Sequence, residues 1–159
     1  MERKLEQDIQ AVLPQVIAWR RHFHQYPELS FQEIETTKLI VQEMEKLGNL
    51  EITRPTATGV VARLHGAEPG PTIALRADID ALKMPELTGL EYASRHDGVM
   101  HSCGHDAHTA MLLGVVSVLS KNQQSLKGSF VFIFQHAEEQ PPGGAIEMVQ
   151  ANVLDGVDA

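Results

Sequence analysis

Cysteine is almost absent from this chain: one residue, Cys103, stands in 159 positions. No internal disulfide can form, which excludes a disulfide-stapled secreted fold. Long apolar runs are missing too. The longest, residues 111–119, is interrupted by Gly114 and Ser117 and is far too short to span a bilayer. The N-terminal MERKLEQDIQ carries mixed charge and no apolar h-region, so the chain reads as lacking a secretory signal and as cytoplasmic. Basic residues are scarce, 13 against 21 acidic, for a net charge of -8. Nucleic acid and anionic membranes reward clustered Lys and Arg, so neither is expected as the main partner. There is no internal repeat and no low-complexity tract.

What is present is the composition of a soluble globular protein: 43% hydrophobic and 21% charged residues. The length suffices for one domain with a proper core. Leu5, Ile9, Val12, Leu13, Val16, Ile17 and Trp19 recur at near-helical spacing and predict a helix over residues 4–24, kinked or restarted at Pro14. Ser30 with Glu33 reads as a capping box, and Leu29 with Ile34 as its staple, opening a helix that runs to Leu47 and stops at Gly48. The period then changes. Residues 59–65 and 72–77 read as strands joined by a Gly-Ala-Glu-Pro-Gly turn and expected to pair as a hairpin. Residues 80–104 show no sustained period and read as a long loop, a common seat of function. A helix over 107–120, an apolar buried strand over 129–135 and a helix over 144–151 complete an α/β layered domain.

Five of the eight histidines (His96, His101, His105, His108, His136) fall in one third of the chain, with the lone cysteine among them. In Cys103-Gly-His105 the two side chains are two residues apart, so an extended segment points both the same way. Thiolate and imidazole are favoured donors for zinc and similar borderline metals. Taken alone, Cys103 reads as a small buried hydrophobe; beside His101, His105 and His108 it reads as a ligand. Glu138 and Glu139 follow directly after the buried strand, where α/β proteins usually bind ligands, and precede a rigid Pro-Pro-Gly-Gly turn. Two adjacent carboxylates can divide the labour, one holding a metal and the other taking a proton from water. Asp78 and Asp80 end the second predicted strand, and either could support a metal-binding imidazole.

Five segments in order, RRHFHQYPELSFQE, TGVVARLHG, ALRADIDAL, MHSCGHDAHTAML and FIFQHAEEQPPGGA, resemble the metal-dependent amidohydrolases that include hippurate hydrolases, N-acetyldiaminopimelate deacetylase and indole-acetyl-amino-acid hydrolases, relatives of aminoacylases and certain carboxypeptidases. The resemblance implies a layered αβα catalytic domain with a mixed sheet. It also implies two divalent ions (Zn, Mn, Co or Ni) per site, with Cys103, His105 and Glu139 as metal ligands. Glu138 is then the general base and Asp78 an acid that orients the site, while His101 and His108 line the pocket. The implied substrate is a small-molecule N-acyl amino acid or short peptide-like amide, and a homo-oligomer would be compatible with the family. Lys83 and His136 stand where the family often has Pro. The resemblance implies that residues 1–159 correspond to the N-terminal portion of the catalytic domain, with later histidine ligands and a lid or dimerisation domain expected beyond Ala159. Three ligands alone therefore imply weak metal binding and little or no hydrolysis. The rival readings are an inactive remnant acting as a binding or regulatory module, and a Cys/His nucleophilic hydrolase using Cys103. The second leaves the Glu pair without a purpose.

Overall fold

The structure, a computed structural model, describes residues 2–159. Three helices lie on one face of a four-stranded mixed sheet and a short helix on the other. In chain order these are α1 (Glu2–Gln25), α2 (Ile34–Glu45), β1 (Glu51–Thr53), β2 (Val60–His65), β3 (Glu68–Asp78), α3 (His105–Lys121), β4 (Lys127–Gln135) and α4 (Gly144–Gln150). The layered αβα architecture expected from the sequence is the one observed.

The two sheet faces follow from strand alternation. Val60, Ala62, Leu64, Phe132 and Phe134 face Trp19 and Phe23 of α1, Ile40 and Met44 of α2, and Ala110, Leu113 and Val116 of α3 in one buried core. The residues between them, Val61, Val131 and Ile133, turn the other way and pack with Met148 of α4 and Val153. Strand β4, apolar on both faces, takes an interior place in the order β1-β2-β4-β3. It pairs antiparallel with β2 and parallel with β3. The parallel pairing needs a crossover, and α3 supplies it.

This order overturns the expected hairpin of 59–65 with 72–77. The two strands are separated by β4, because the chain between them passes over the start of β4, where Gly66 N–H donates to Gly128 O at 2.8 Å. Gly128 permits this approach: a Cβ there would lie 2.0 Å from Pro71 O, and its φ of 74° is left-handed. An apolar strand gains more by burying both edges than a polar-tipped pair gains from a local turn. The short strand β1, paired with β2, was not expected either.

Two further expectations change. α1 runs unbroken through Pro14, held along its length by Val12, Val16, Trp19 and Phe23 in the core. α2 begins at Ile34 and not near Ser30, and no capping box forms. The Glu28 carboxylate instead accepts the free N–H groups of Glu35 and Thr36 at 3.1 and 2.8 Å. Phe31 at φ 66° turns the chain between these points, and Ile34 stays 62% exposed, which leaves the Leu29 staple unmade. Gly48, at φ 75°, follows the last turn of α2 as expected. Residues 79–104 are irregular but tied down: Ala81 N–H bonds Glu28 O, Leu82 bridges Met100, and His96 Nδ1 bonds Pro27 O at 2.8 Å.

Glu28→Ala should lower the free energy of unfolding by about 1 kcal/mol and speed amide exchange at Glu35 and Thr36. Ser30→Ala should leave those two amides protected. Urea denaturation and residue-resolved hydrogen exchange make the comparison.

Candidate metal centre

Parallel strands β3 and β4 end side by side, Asp78 opposite Gln135. Beyond their C-terminal ends the chain leaves the sheet, and the residues singled out in the sequence collect there. Ile79 and Asp80 follow β3, Cys103 and Gly104 lead into α3, and Ala137, Glu138 and Glu139 follow β4. Gly104 makes the entry to α3 at φ 102°, with nothing within 4 Å of where a Cβ would stand, so backbone conformation and not space calls for glycine. His105 opens the helix and is 4% exposed.

Cys103 Sγ, a His105 ring nitrogen and a Glu139 carboxylate oxygen all lie within 4.8 Å of one another, the group of this kind found among the described residues. Cys103 is exposed and so is not the buried hydrophobe that it would be if read alone. Glu139 Oε1 is buried without a hydrogen-bond partner. Glu138 stands alongside, its Oε2 3.9 Å from His105 Nε2 and its side chain 44% exposed.

Asp80 organises the group. His105 Nδ1 lies 3.0 Å from the Asp80 carbonyl oxygen and 3.2 Å from Asp80 Oδ1. A proton on Nδ1 bonds the carbonyl oxygen, while Asp80 Oδ1, buried without a hydrogen-bond partner, acts on the ring by charge, and loss of the Nε2 proton frees that lone pair for another partner. Asp80 Oδ2 accepts the Ser30 hydroxyl at 2.6 Å and the Glu139 N–H at 2.9 Å. Burial pushes the Asp80 carboxyl up, but the His105 ring, the Ser30 hydroxyl and the Glu139 and Glu138 main chain outweigh it and hold it at about 2. The same Asp80 contact raises His105 to about 9 against the opposing effect of burial. The Cys103 thiol is pushed up by the Glu139 carboxylate, then by burial and the charges of Glu138 and Asp78.

Asp78, the acid picked out by the motif, reaches Arg76, while its carbonyl accepts the Thr109 hydroxyl. It bears on Cys103 and His105 by charge and not by contact. β3 ends at Asp78, so strand alternation no longer governs residue 80, and only the folded chain shows which acid touches His105. His108 is exposed, its ring 6.0 Å from that of His105. His101 is buried with neither ring nitrogen partnered, and burial lowers it to about 4. His136 binds away from the group, to Thr56 Oγ1 at 3.2 Å and Glu147 Oε2 at 3.1 Å. Sequence reasoning missed Glu33 and Ser30 here, having read both as helix caps. Glu33 Oε1 accepts the Ala137 N–H at 2.8 Å.

An apolar groove of about 420 Å³ between α1 and α3, lined by Leu5, Ile9, Leu13, Val16, Met111 and Val115 among others, contains no titratable side chain. Among the described residues, no helix is long and apolar enough to cross a membrane.

Residues 74–159, over half the chain, match the peptidase family M20/M25/M40. The chain belongs to that family. Among its M20 relatives is an N-acyl-L-amino acid amidohydrolase of Geobacillus stearothermophilus, 51% identical over 157 residues that make up 99% of this chain and 42% of the relative. An N-acetyl-L-cysteine deacetylase of Bacillus subtilis is 54% identical, covering 91% of this chain and 35% of the relative. A crystal structure of a dinuclear metal-binding M20 peptidase, also from Bacillus subtilis, superposes with a TM-score of 0.87 at 48% identity, covering 93% of this chain and 42% of that one. The chain thus spans less than half the length of these relatives.

Two buried histidines, His101 and His105, should set a pH optimum for the metal-free chain. His101, lowered by burial, contributes stability fully present above its ordinary 6.5 and lost as pH falls towards about 4, up to roughly 3 kcal/mol. His105, raised by Asp80, contributes stability fully present below 6.5 and lost as pH rises through about 9. In EDTA the denaturation midpoint should therefore peak near pH 6.5. His101→Leu should flatten the acid limb, and Asp80→Asn the alkaline limb.

Proposed function

We propose that this chain carries a metal centre of an amidohydrolase that cleaves the amide bond of N-acyl amino acids or related small amides. The observation that carries the reading is the convergence of Cys103, His105 and Glu139 within 4.8 Å beside the carboxylate of Glu138. The donor set fits a divalent cation. It combines sulfur, imidazole nitrogen and carboxylate oxygen, Glu139 Oε1 is orphaned and buried, and the surrounding acids raise the thiol. Cys103 Sγ, His105 Nε2 and Glu139 would hold the ion, with Zn, Mn, Co and Ni all suited to such mixed ligation.

When bound, a divalent ion supplies Lewis-acid polarisation of an amide carbonyl and acidifies an attacking water. Glu138 takes the proton of that water and hands it to the departing amine. Its exposure leaves it free to swing between the two tasks. Asp80 holds the His105 ring so that Nε2 faces the centre. Asp78, paired with Arg76, adds negative charge that favours a cation. Three donors suffice for one ion with an open position; a second ion, as in the dinuclear relative, needs donors beyond these three. The amidohydrolase and deacetylase relatives support the choice of N-acyl amino acids. We read residues 1–159 as the N-terminal portion of the catalytic domain, in line with the 42% of the amidohydrolase relative that they span.

Cobalt binding tests the centre on this chain. Cys103→Ala should abolish the sulfur-to-cobalt charge-transfer absorption and weaken binding by at least about tenfold, and bound cobalt should slow alkylation of Cys103. An alkylation rate indifferent to cobalt would overturn the ligand assignment. In assays of amine release from N-acetyl and N-benzoyl amino acids, Glu138→Gln should lower turnover about 10²–10⁴-fold with cobalt affinity retained. Undiminished turnover in that variant would remove Glu138 as the base.

A further inference from the structure

Glu33 is fully buried, and its carboxyl group has no cationic partner among the described residues. Its two oxygens are both used. Oε2 accepts the Thr58 hydroxyl at 2.7 Å, and Oε1 accepts the main-chain N–H of Ala137 at 2.8 Å, across 104 residues of sequence. Packing alone would not select an acid here, because a buried carboxyl group costs stability that an apolar side chain of the same size would not. What the acid supplies is a directed acceptor for one amide, and that amide belongs to the residue immediately before Glu138 and Glu139.

Ala137 is the point where the chain must turn sharply out of β4. Its φ is 49°, in the left-handed region that favours glycine. A residue with a Cβ stays in that region only where its surroundings hold it. On one side the Ala137 carbonyl accepts the Gly144 N–H at 2.9 Å, closing the turn. On the other its N–H is held by Glu33. Two residues on, the Glu139 N–H is held by Asp80 Oδ2, which Ser30 also bonds. The segment 30–33 thus reaches both ends of the acid pair, indirectly through Asp80 and directly through Glu33.

We propose that Glu33 is a positioning residue of the metal centre, fixing the main chain at Ala137 so that Glu138 and Glu139 project towards Cys103 and His105. The proposal rests on the reading of Glu139 as a ligand and goes beyond it, since Glu33 touches neither ion nor substrate. Glu33 is a brace acting through a peptide group.

The test compares the chain with Glu33→Met, which keeps the volume and removes the acceptor, and Glu33→Gln, which keeps an acceptor oxygen for Ala137. In the metal-free protein, Glu33→Met should speed amide exchange at Ala137 by at least about tenfold, and the Thr58 hydroxyl and Ala137 N–H left without their acceptor should lower the thermal midpoint. In cobalt titrations followed by the sulfur-to-cobalt absorption, Glu33→Met should weaken binding about 10–100-fold and Glu33→Gln by less than about threefold. In a Glu139→Gln background, Glu33→Met should cost less than about threefold more, because the placement it disturbs no longer matters. A purely packing role would add its full cost in that background, and that result overturns the proposal. So does an Ala137 amide as protected in Glu33→Met as in the unmodified chain. Absence of the sulfur-to-cobalt absorption in the unmodified chain would sink the metal-centre reading and this proposal together. Strong absorption unchanged by Glu33→Met sinks the proposal alone.

Discussion

Asp80 sits where three segments of the chain meet, and its contacts hold the centre in shape. One carboxylate oxygen takes the Ser30 hydroxyl from the approach to α2 and the Glu139 N–H from the turn after β4. The other, with the main-chain carbonyl of the same residue, faces Nδ1 of His105 at the start of α3. A buried carboxylate is costly unless compensated, and here the bonds to Oδ2 and the charge of His105 beside Oδ1 draw the strand ends, the helix start and the acid pair to one place. The cost of burying the charge and the geometry of the site are the same fact.

The electrostatics of the centre depend on that arrangement. Acids outnumber bases around Cys103, and the thiol is raised by Glu139, Glu138 and Asp78 together. A site that disfavours its own thiolate is suited to a cation, which reverses the sign of the local field and turns the same acids into support. The overall charge of -8 points the same way but says nothing about place. Place comes from the parallel pair β3 and β4, whose C-terminal ends bring their outgoing loops together.

The distribution of backbone strain fits this picture. Gly104, between Cys103 and His105, and Ala137, directly before Glu138 and Glu139, both have positive φ. The first position is served by a glycine. The second is served by an alanine fastened from both sides, and Glu33 is one of the fastenings.

By itself the sequence determined the class of the fold, the position of most helices and strands, and the identity of the groups that converge. These depend on local periodicity, on the absence of disulfides and membrane spans, and on motifs such as Cys-Gly-His and Glu-Glu, whose chemistry is written in adjacent residues. Tertiary structure alone decided that β4 enters between β2 and β3, that Asp80 and not Asp78 touches His105, and that Ser30 bonds Asp80 and Glu33 bonds Ala137 and neither caps a helix. The reason is physical. Residues 30 and 80, or 33 and 137, are remote along the chain, and no local pattern reports which distant partner a buried polar group will meet. That choice belongs to the packing of an apolar strand with both faces and both edges to bury, and the polar contacts follow from where that packing leaves them.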